Sequence, residues 1–150
     1  MKTEQQPPEK LWIDKLSNAE ALVAMLSSQN MAANVVSKSL KDIEKVVKAI
    51  SKKLQLSNSS RIIYCGAGSS GRIAVQDGVE LFPTFSWPQS RIEYIIAGGH
   101  EALTKSIENS EDNLGEANKE VLKVNVNSGD VVICLAASSQ TPFTLEVLRL

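Results

Sequence analysis

The sequence predicts an α/β fold built on a parallel sheet and preceded by a helical segment, and three observations predict it. Short apolar runs rich in β-branched residues stand at 62–65, 92–97 and 131–136. Helix-length stretches separate them, as parallel strands require, because the chain must cross back before it can pair in the same direction. A glycine-rich turn, Gly66-Ala67-Gly68-Ser69-Ser70-Gly71, joins the first run to the helical stretch behind it.

Taken in order, residues 1–10 are polar and contain Pro7 and Pro8, which predicts a flexible arm. Residues 11–56 form the helical segment. Ser17-Asn18-Ala19-Glu20 fits a capping box, in which a hydroxyl and a carboxylate satisfy each other's free amides. The helix continues through residues 21–26, and a longer one follows, because Val36, Leu40, Ile43, Val47, Ile50 and Leu54 recur at offsets of four and three. Residues 55–60 end it. Lys38, Lys41, Lys45, Lys48, Lys52 and Lys53 on the other face read as a solvated surface, with Glu44 and Lys48 at a favourable spacing. These helices are expected to serve packing or subunit contact.

Residues 57–150 carry the sheet. Helical stretches are expected at 71–81, 101–112 and 114–123, and the Asn127-Ser128-Gly129 turn opens the third strand. After the loop Ser138-Ser139-Gln140-Thr141-Pro142, the residues Phe143, Leu145, Val147 and Leu148 begin a last helical pattern. Three strands leave at least one edge able to pair, so the sheet reads as the front part of a larger one.

Composition narrows the function classes. Hydrophobic residues at 43% and charged residues at 22% describe an ordinary globular chain and exclude a disordered, collagen-like or disulfide-built one. The 16 basic residues nearly balance the 17 acidic ones, so no global field recruits nucleic acid or an anionic membrane. No apolar run approaches the roughly 20 residues of a membrane span, and the first residues do not resemble a signal peptide; a cytoplasmic protein is expected. Cys65 and Cys134 lack a paired Cys-x-x-Cys or histidine spacing, which predicts buried reduced thiols and no metal site.

Two loops carry the candidate chemistry. In residues 66–71 small side chains let the amides at a helix start approach an anion, a phosphate cradle. The same residues satisfy the dinucleotide fingerprint, which also asks for an acid about 20 positions on; Glu93 stands near that distance, but inside the second strand. Ser138-Ser139-Gln140-Thr141 ends the third strand with another hydroxyl-rich loop. If strands one and three are neighbours, both loops can serve one phosphate. The alternative is that the glycines only turn the chain and the hydroxyls only cap helices; for the two loops together the ligand reading is preferred.

The motifs then become specific. Residues 63–72, Glu80 with Pro83-Thr84, Ile96-Ala97-Gly98-Gly99, Glu108 with Glu111-Asp112, and Ala136-Ala137-Ser138 with Thr141-Pro142 occur in the order found in N-acetylmuramic acid 6-phosphate etherases. The chain resembles that family over residues 61–145, and with it the sugar-isomerase (SIS) domain proteins related to the glucokinase regulatory protein. The resemblance implies a truncated SIS-type, Rossmann-like sandwich corresponding to the amino-terminal half of the family's chains.

It also implies cleavage of the D-lactyl ether of N-acetylmuramic acid 6-phosphate, a homodimer, a phosphorylated amino sugar as ligand, and no metal or cofactor. Under the resemblance Glu80 is the acid/base at the lactate oxygen and Glu111 takes the carbon 2 proton. Gly68, Ser69, Ser70, Gly71, Ser138, Ser139 and Thr141 hold the phosphate. The family's Ser-Gly-Arg-Thr-Pro loop reads Ser138-Ser139-Gln140-Thr141-Pro142 here.

Each residue has a plainer rival. Glu80, Glu108 and Glu111 by themselves read as surface helix acids, His100 as a solvated loop imidazole, and Arg72 as a partner of a helix carboxylate. Phe85 and Trp87 read as a packed loop. A helix unbroken from Ser70 puts Glu80 about 15 Å along its axis, so either Gly78 distorts the helix or the site is shared between subunits. A regulatory sugar-phosphate-binding protein, an inactive fragment, and a dinucleotide domain are the competing readings.

Overall fold

A computed structural model describes residues 12–150, so the arm expected over residues 1–10 lies outside the described residues. The chain divides between Ala49 and Ile50 into two compact units.

In the first unit, α1 (Asn18–Ser37) starts at the expected capping box: the Ser17 amide donates to Glu20 Oε2 at 2.9 Å, and the Glu20 amide donates to Ser17 Oγ at 3.4 Å. It runs well past Leu26 to Ser37, so Val36 belongs to it and not to the next helix. The serines and asparagine at 27–30 look like a stop, but polar residues cost only a few tenths of a kcal/mol each in a helix already formed, about 0.7 at most. Glu20 is the only charged residue of α1, and Leu22, Leu26, Met31 and Val35 are all more than half exposed. The helix α2 (Leu40–Gln55), of which residues 40–49 belong to the first unit and 50–55 to the second, carries exposed pairs between Lys45 and Asp42 and between Lys48 and Glu44.

The second unit is organised around a three-stranded sheet: β1 (Ile62–Gly66), β2 (Ile92–Ile96) and β3 (Val131–Leu135), in the order β2-β1-β3. Both pairings are parallel, with Tyr64 opposite Tyr94 on one side and Ile133 on the other. The helices are α3 (Gly68–Phe85), α4 (Leu114–Val124) and α5 (Pro142–Arg149). β1 is buried along its whole length, as its run of apolar residues requires when both faces are covered. One face packs Ile63, Cys65 and Ile95 with Ala117 of α4 and with Phe143 and Val147 of α5. The other packs Ile62, Tyr64 and Ile92 against Ala74 of α3.

The expected helix over 101–112 does not form. Two short 3₁₀ turns, His100–Leu103 and Ser110–Asp112, stand in its place. Gly98, Gly99 and Asn109 take positive φ values of 77°, 64° and 60°, and each such residue interrupts a right-handed helical ladder. In contrast, α3 is longer than expected. It begins at Gly68, not Gly71, and runs to Phe85 through Pro83. Ser86 at φ 55° closes it, with the Ser86 amide on Phe82 O and the Trp87 amide on Leu81 O.

The amino-terminal end of the sheet is latched. Arg61 donates through Nε and NH2 to Asp130 at 3.1 and 2.7 Å, and through NH1 and NH2 to the carbonyls of Val124 and Asn125 that end α4. The Asp130 side chain is fully buried. Burial alone would raise its carboxyl, but the bonds from Arg61 and from the Asn127 amide outweigh that and hold it below its ordinary value. Nearby, Arg91 lies 4.3 Å from the Trp87 ring and donates to Ser60 O and Leu54 O. Trp87 is thus part of the packing, whereas Phe85, read with it as a packed loop, ends α3 and is 73% exposed.

Candidate functional site

Because all three strands run the same way, their carboxyl ends open on one edge, and the loops after β1, β2 and β3 emerge there together. The first loop is dictated by glycine. A Cβ on Gly71 would stand 2.9 Å from Gly66 O, and one on Gly66 would stand 2.9 Å from Gly71 N, so strand and helix approach closely only because neither residue has a side chain. Gly68 sits at φ 53°, with Ser69 and Ser70 following in the first turn of α3. No side chain caps this helix start, and the leading amides of a helix have no partner within it. The turn therefore presents donors at the positive end of the helix, together with two hydroxyls.

The second loop follows β3, which pairs directly with β1. The two hydroxyl loops therefore leave neighbouring strands, but they line separate cavities, Gly68 the cleft described below and Ser139 and Thr141 another. The Gln140 amide donates to Ser138 Oγ at 3.1 Å. Ser139 is held at φ 56°, a left-handed conformation that favours glycine. Ser139 and Thr141 line a cavity of about 150 Å³ with Cys134 and Thr144. The Thr144 hydroxyl is buried and has no hydrogen-bond partner there. Cys65 and Cys134 are register neighbours on β1 and β3. The neighbouring Cys134 thiol, then burial, raise the Cys65 thiol above its ordinary value.

The loop after β2 supplies the acids. Glu108 and Glu111 line a polar cleft of about 160 Å³ with Gly68, Arg72, Ser106 and Ser110, so Glu111 shares a cleft with the first residue of the glycine-rich helix start. Both acids are exposed, and Glu108 accepts from Ser106 Oγ at 3.2 Å. Arg72 does not pair with a helix carboxylate; among the described residues it donates instead to backbone oxygens, Nε to Ala102 and NH2 to Lys105, each at 3.0 Å. Glu116 accepts from the Gly98 amide at 2.9 Å and fixes the loop's other end. Sequence reasoning did not single out Glu116. Its signal is the Asn113-x-x-Glu116 spacing of a helix start, and the Glu116 amide indeed donates to Asn113 Oδ1.

Glu80 stands apart from these loops. It lies on the exposed surface of α3 and lines none of the cavities described here. The helix is continuous past Gly78, whose missing Cβ makes room for the Tyr94 ring, with the hydroxyl 2.6 Å from where that carbon would be. Ten residues of unbroken helix separate Ser70 from Glu80, about 15 Å along the axis. Exposed His100 lines a separate, mainly apolar cavity of about 350 Å³ with Val75, Val79, Tyr94 and Leu103. Glu93 is an interior residue of β2 and faces Arg61 at 4.0 Å, so it does not stand at the strand's carboxyl end where a ribose-binding acid belongs. Among the described residues no helix is long and apolar enough to cross a membrane.

The chain is similar in sequence to known proteins. The chain is 37% identical over 147 residues to the N-acetylmuramic acid 6-phosphate etherase of Psychromonas ingrahamii, covering 98% of this chain and 48% of the relative. It is 36% identical over 149 residues to the protein of the same name from Edwardsiella ictaluri, covering 99% and 49%. Against that of Lactococcus lactis the values are 37% over 147 residues, 97% and 48%. The chain thus spans about half the length of the curated relatives it matches. Residues 40–150, which include every strand and each loop at the sheet's carboxyl edge, match the glucokinase regulatory protein N-terminal SIS domain, and the chain belongs to that family.

Proposed function

We propose that this chain binds a phosphorylated amino sugar at the carboxyl edge of its sheet and takes part in cleaving the D-lactyl ether of N-acetylmuramic acid 6-phosphate. The observation that supports the reading is the pairing of β1 with β3, which puts two hydroxyl loops on one sheet edge, the first of them lining a cleft with Glu111. Gly68, Ser69, Ser70 and Gly71, with Ser138, Ser139 and Thr141, take the phosphate.

In the proposed reaction Glu111 accepts the carbon 2 proton. Those electrons form a carbon 2–carbon 3 double bond as the carbon 3–oxygen bond breaks, and Glu80 protonates the departing lactate oxygen. Glu80 then takes a proton from water as its oxygen adds to carbon 3, and the proton held by Glu111 returns to carbon 2. The net change is one ether and one water converted to N-acetylglucosamine 6-phosphate and D-lactate. Since Glu80 stands about 15 Å along α3 from the cradle, it is assigned to a site completed by a second copy in a homodimer.

The test is D-lactate release from N-acetylmuramic acid 6-phosphate by the purified chain. Glu80→Gln should lower kcat about 100-fold or more, and unchanged turnover would remove Glu80 from the scheme. A second reading, phosphosugar binding without turnover, is favoured by Gln140 standing where the related loop has arginine. Calorimetry that detects binding of N-acetylglucosamine 6-phosphate, with no lactate released from N-acetylmuramic acid 6-phosphate, would select it.

A further inference from the structure

We infer that Arg72 is a positioning residue, which couples the phosphate-cradle turn to the Glu111-bearing loop so that an anion bound at one orders the other. The inference rests on the proposed phosphosugar site. Arg72 lies one helical turn beyond Gly68, at the start of α3, and its backbone is therefore rigidly joined to the cradle. Its side chain reaches out of the helix to the loop after β2, with Nε on Ala102 O and NH2 on Lys105 O, both 3.0 Å. A planar guanidinium can hold two carbonyls three residues apart at once; a lysine ammonium on a flexible stem does not reproduce that fork.

The carbonyls chosen are informative. Ala102 belongs to the 3₁₀ turn His100–Leu103 and Lys105 lies two residues past it, so the guanidinium stands at the carboxyl end of that turn, where free oxygens favour a cation. The positive charge of Arg72 has no carboxylate within ion-pair distance among the described residues, so its directional bonds go to the loop backbone. From Lys105 the chain enters the cleft wall through Ser106 and Glu108 to Glu111. Two local features keep that stretch from relaxing independently: Ser110 Oγ donates to Ile107 O at 2.8 Å, and Asn109 is fixed at φ 60°. With Glu116 holding the Gly98 amide, Arg72 is the contact that ties the middle of the loop to the cradle helix.

The test is hydrogen exchange on the full chain with and without N-acetylglucosamine 6-phosphate, comparing the native protein with Arg72→Ala and Arg72→Lys. Amides at 102, 104, 105, 112 and 113 are hydrogen-bonded within the loop and report its opening. Without the sugar, Arg72→Ala should speed exchange over 102–113 by about tenfold while β1 amides stay unchanged, and Arg72→Lys should fall between. With the sugar, the native chain should gain protection over both 68–72 and 105–113, whereas Arg72→Ala should gain it over 68–72 alone. A merely structural arginine would not separate the two segments.

Unchanged loop exchange in both variants, or equal protection of both segments in native and variant, overturns the coupling while leaving the phosphosugar site standing. A native chain that gains protection in neither segment overturns the site reading, and the coupling with it. If Arg72→Ala opens β1 as well, the comparison is made on Arg72→Lys.

Discussion

Among single residues, Ser139 and the Arg61–Asp130 pair carry the clearest expectations. Ser139 is held at φ 56° where the related loop has glycine, and a left-handed non-glycine residue costs roughly 1–2 kcal/mol. Part of that is offset because glycine orders at greater entropic expense. Ser139→Gly should therefore raise unfolding stability by up to about 1 kcal/mol in urea titrations. Removing Arg61 leaves a buried carboxylate without its partner, so Arg61→Ala should cost about 3 kcal/mol. The sign of the pH dependence follows from the depressed Asp130 carboxyl. Its contribution is present above the ordinary value of 3.8 and is lost as pH falls through the lower folded value. Denaturation midpoints should drop below about pH 4 in the native chain, and less so in Asp130→Asn.

At the level of elements, the turn between β1 and α3 depends on contact between two backbones. Gly71→Ala places a carbon 2.9 Å from Gly66 O, a backbone atom that cannot step aside. Such overpacking should cost about 1–3 kcal/mol and weaken phosphosugar binding in calorimetry. The sequence shows this element well: glycines spaced between an apolar strand and a helix have one economical arrangement, and the strands at 62, 92 and 131 begin where their apolar runs begin. It shows the loop after β2 poorly. Residues 101–112 contain enough leucine, lysine and glutamate to suggest a helix, and nothing local reports that Asn109 adopts a left-handed conformation. The error runs the other way at α1, where serine and asparagine suggest a stop that the helix passes through. Arg72 is visible as a cation in the sequence, but its two carbonyl partners lie 30 and 33 positions away, beyond any local pattern.

For the whole molecule, α1 is exposed on several sides yet carries one charge in 20 residues. Exposed apolar residues such as Leu22, Leu26, Met31 and Val35 are the kind that association covers, and we propose that the second copy of the homodimer covers them. Sedimentation of the chain should show concentration-dependent association, and Leu22→Lys with Val35→Lys should shift it toward monomer with helical content unchanged; a monomer at high concentration would remove the dimer. The parallel sheet accounts for why the candidate loops were legible as a group, since three strands in one direction must end on one side. The position of Glu80 is not, because an acid on an exposed helix carries no local signal of what it meets.

The Arg61–Asp130 latch stands at the end of the sheet opposite the candidate loops, with Asp130 one residue before β3 and Arg61 one residue before β1. The latch and the proposed ligand site thereby fall at opposite poles of the same three strands. A conditional allele can exploit that polarity: weakening the latch alone would yield a protein that works when cool and fails when warmed, with its recognition surface chemically untouched.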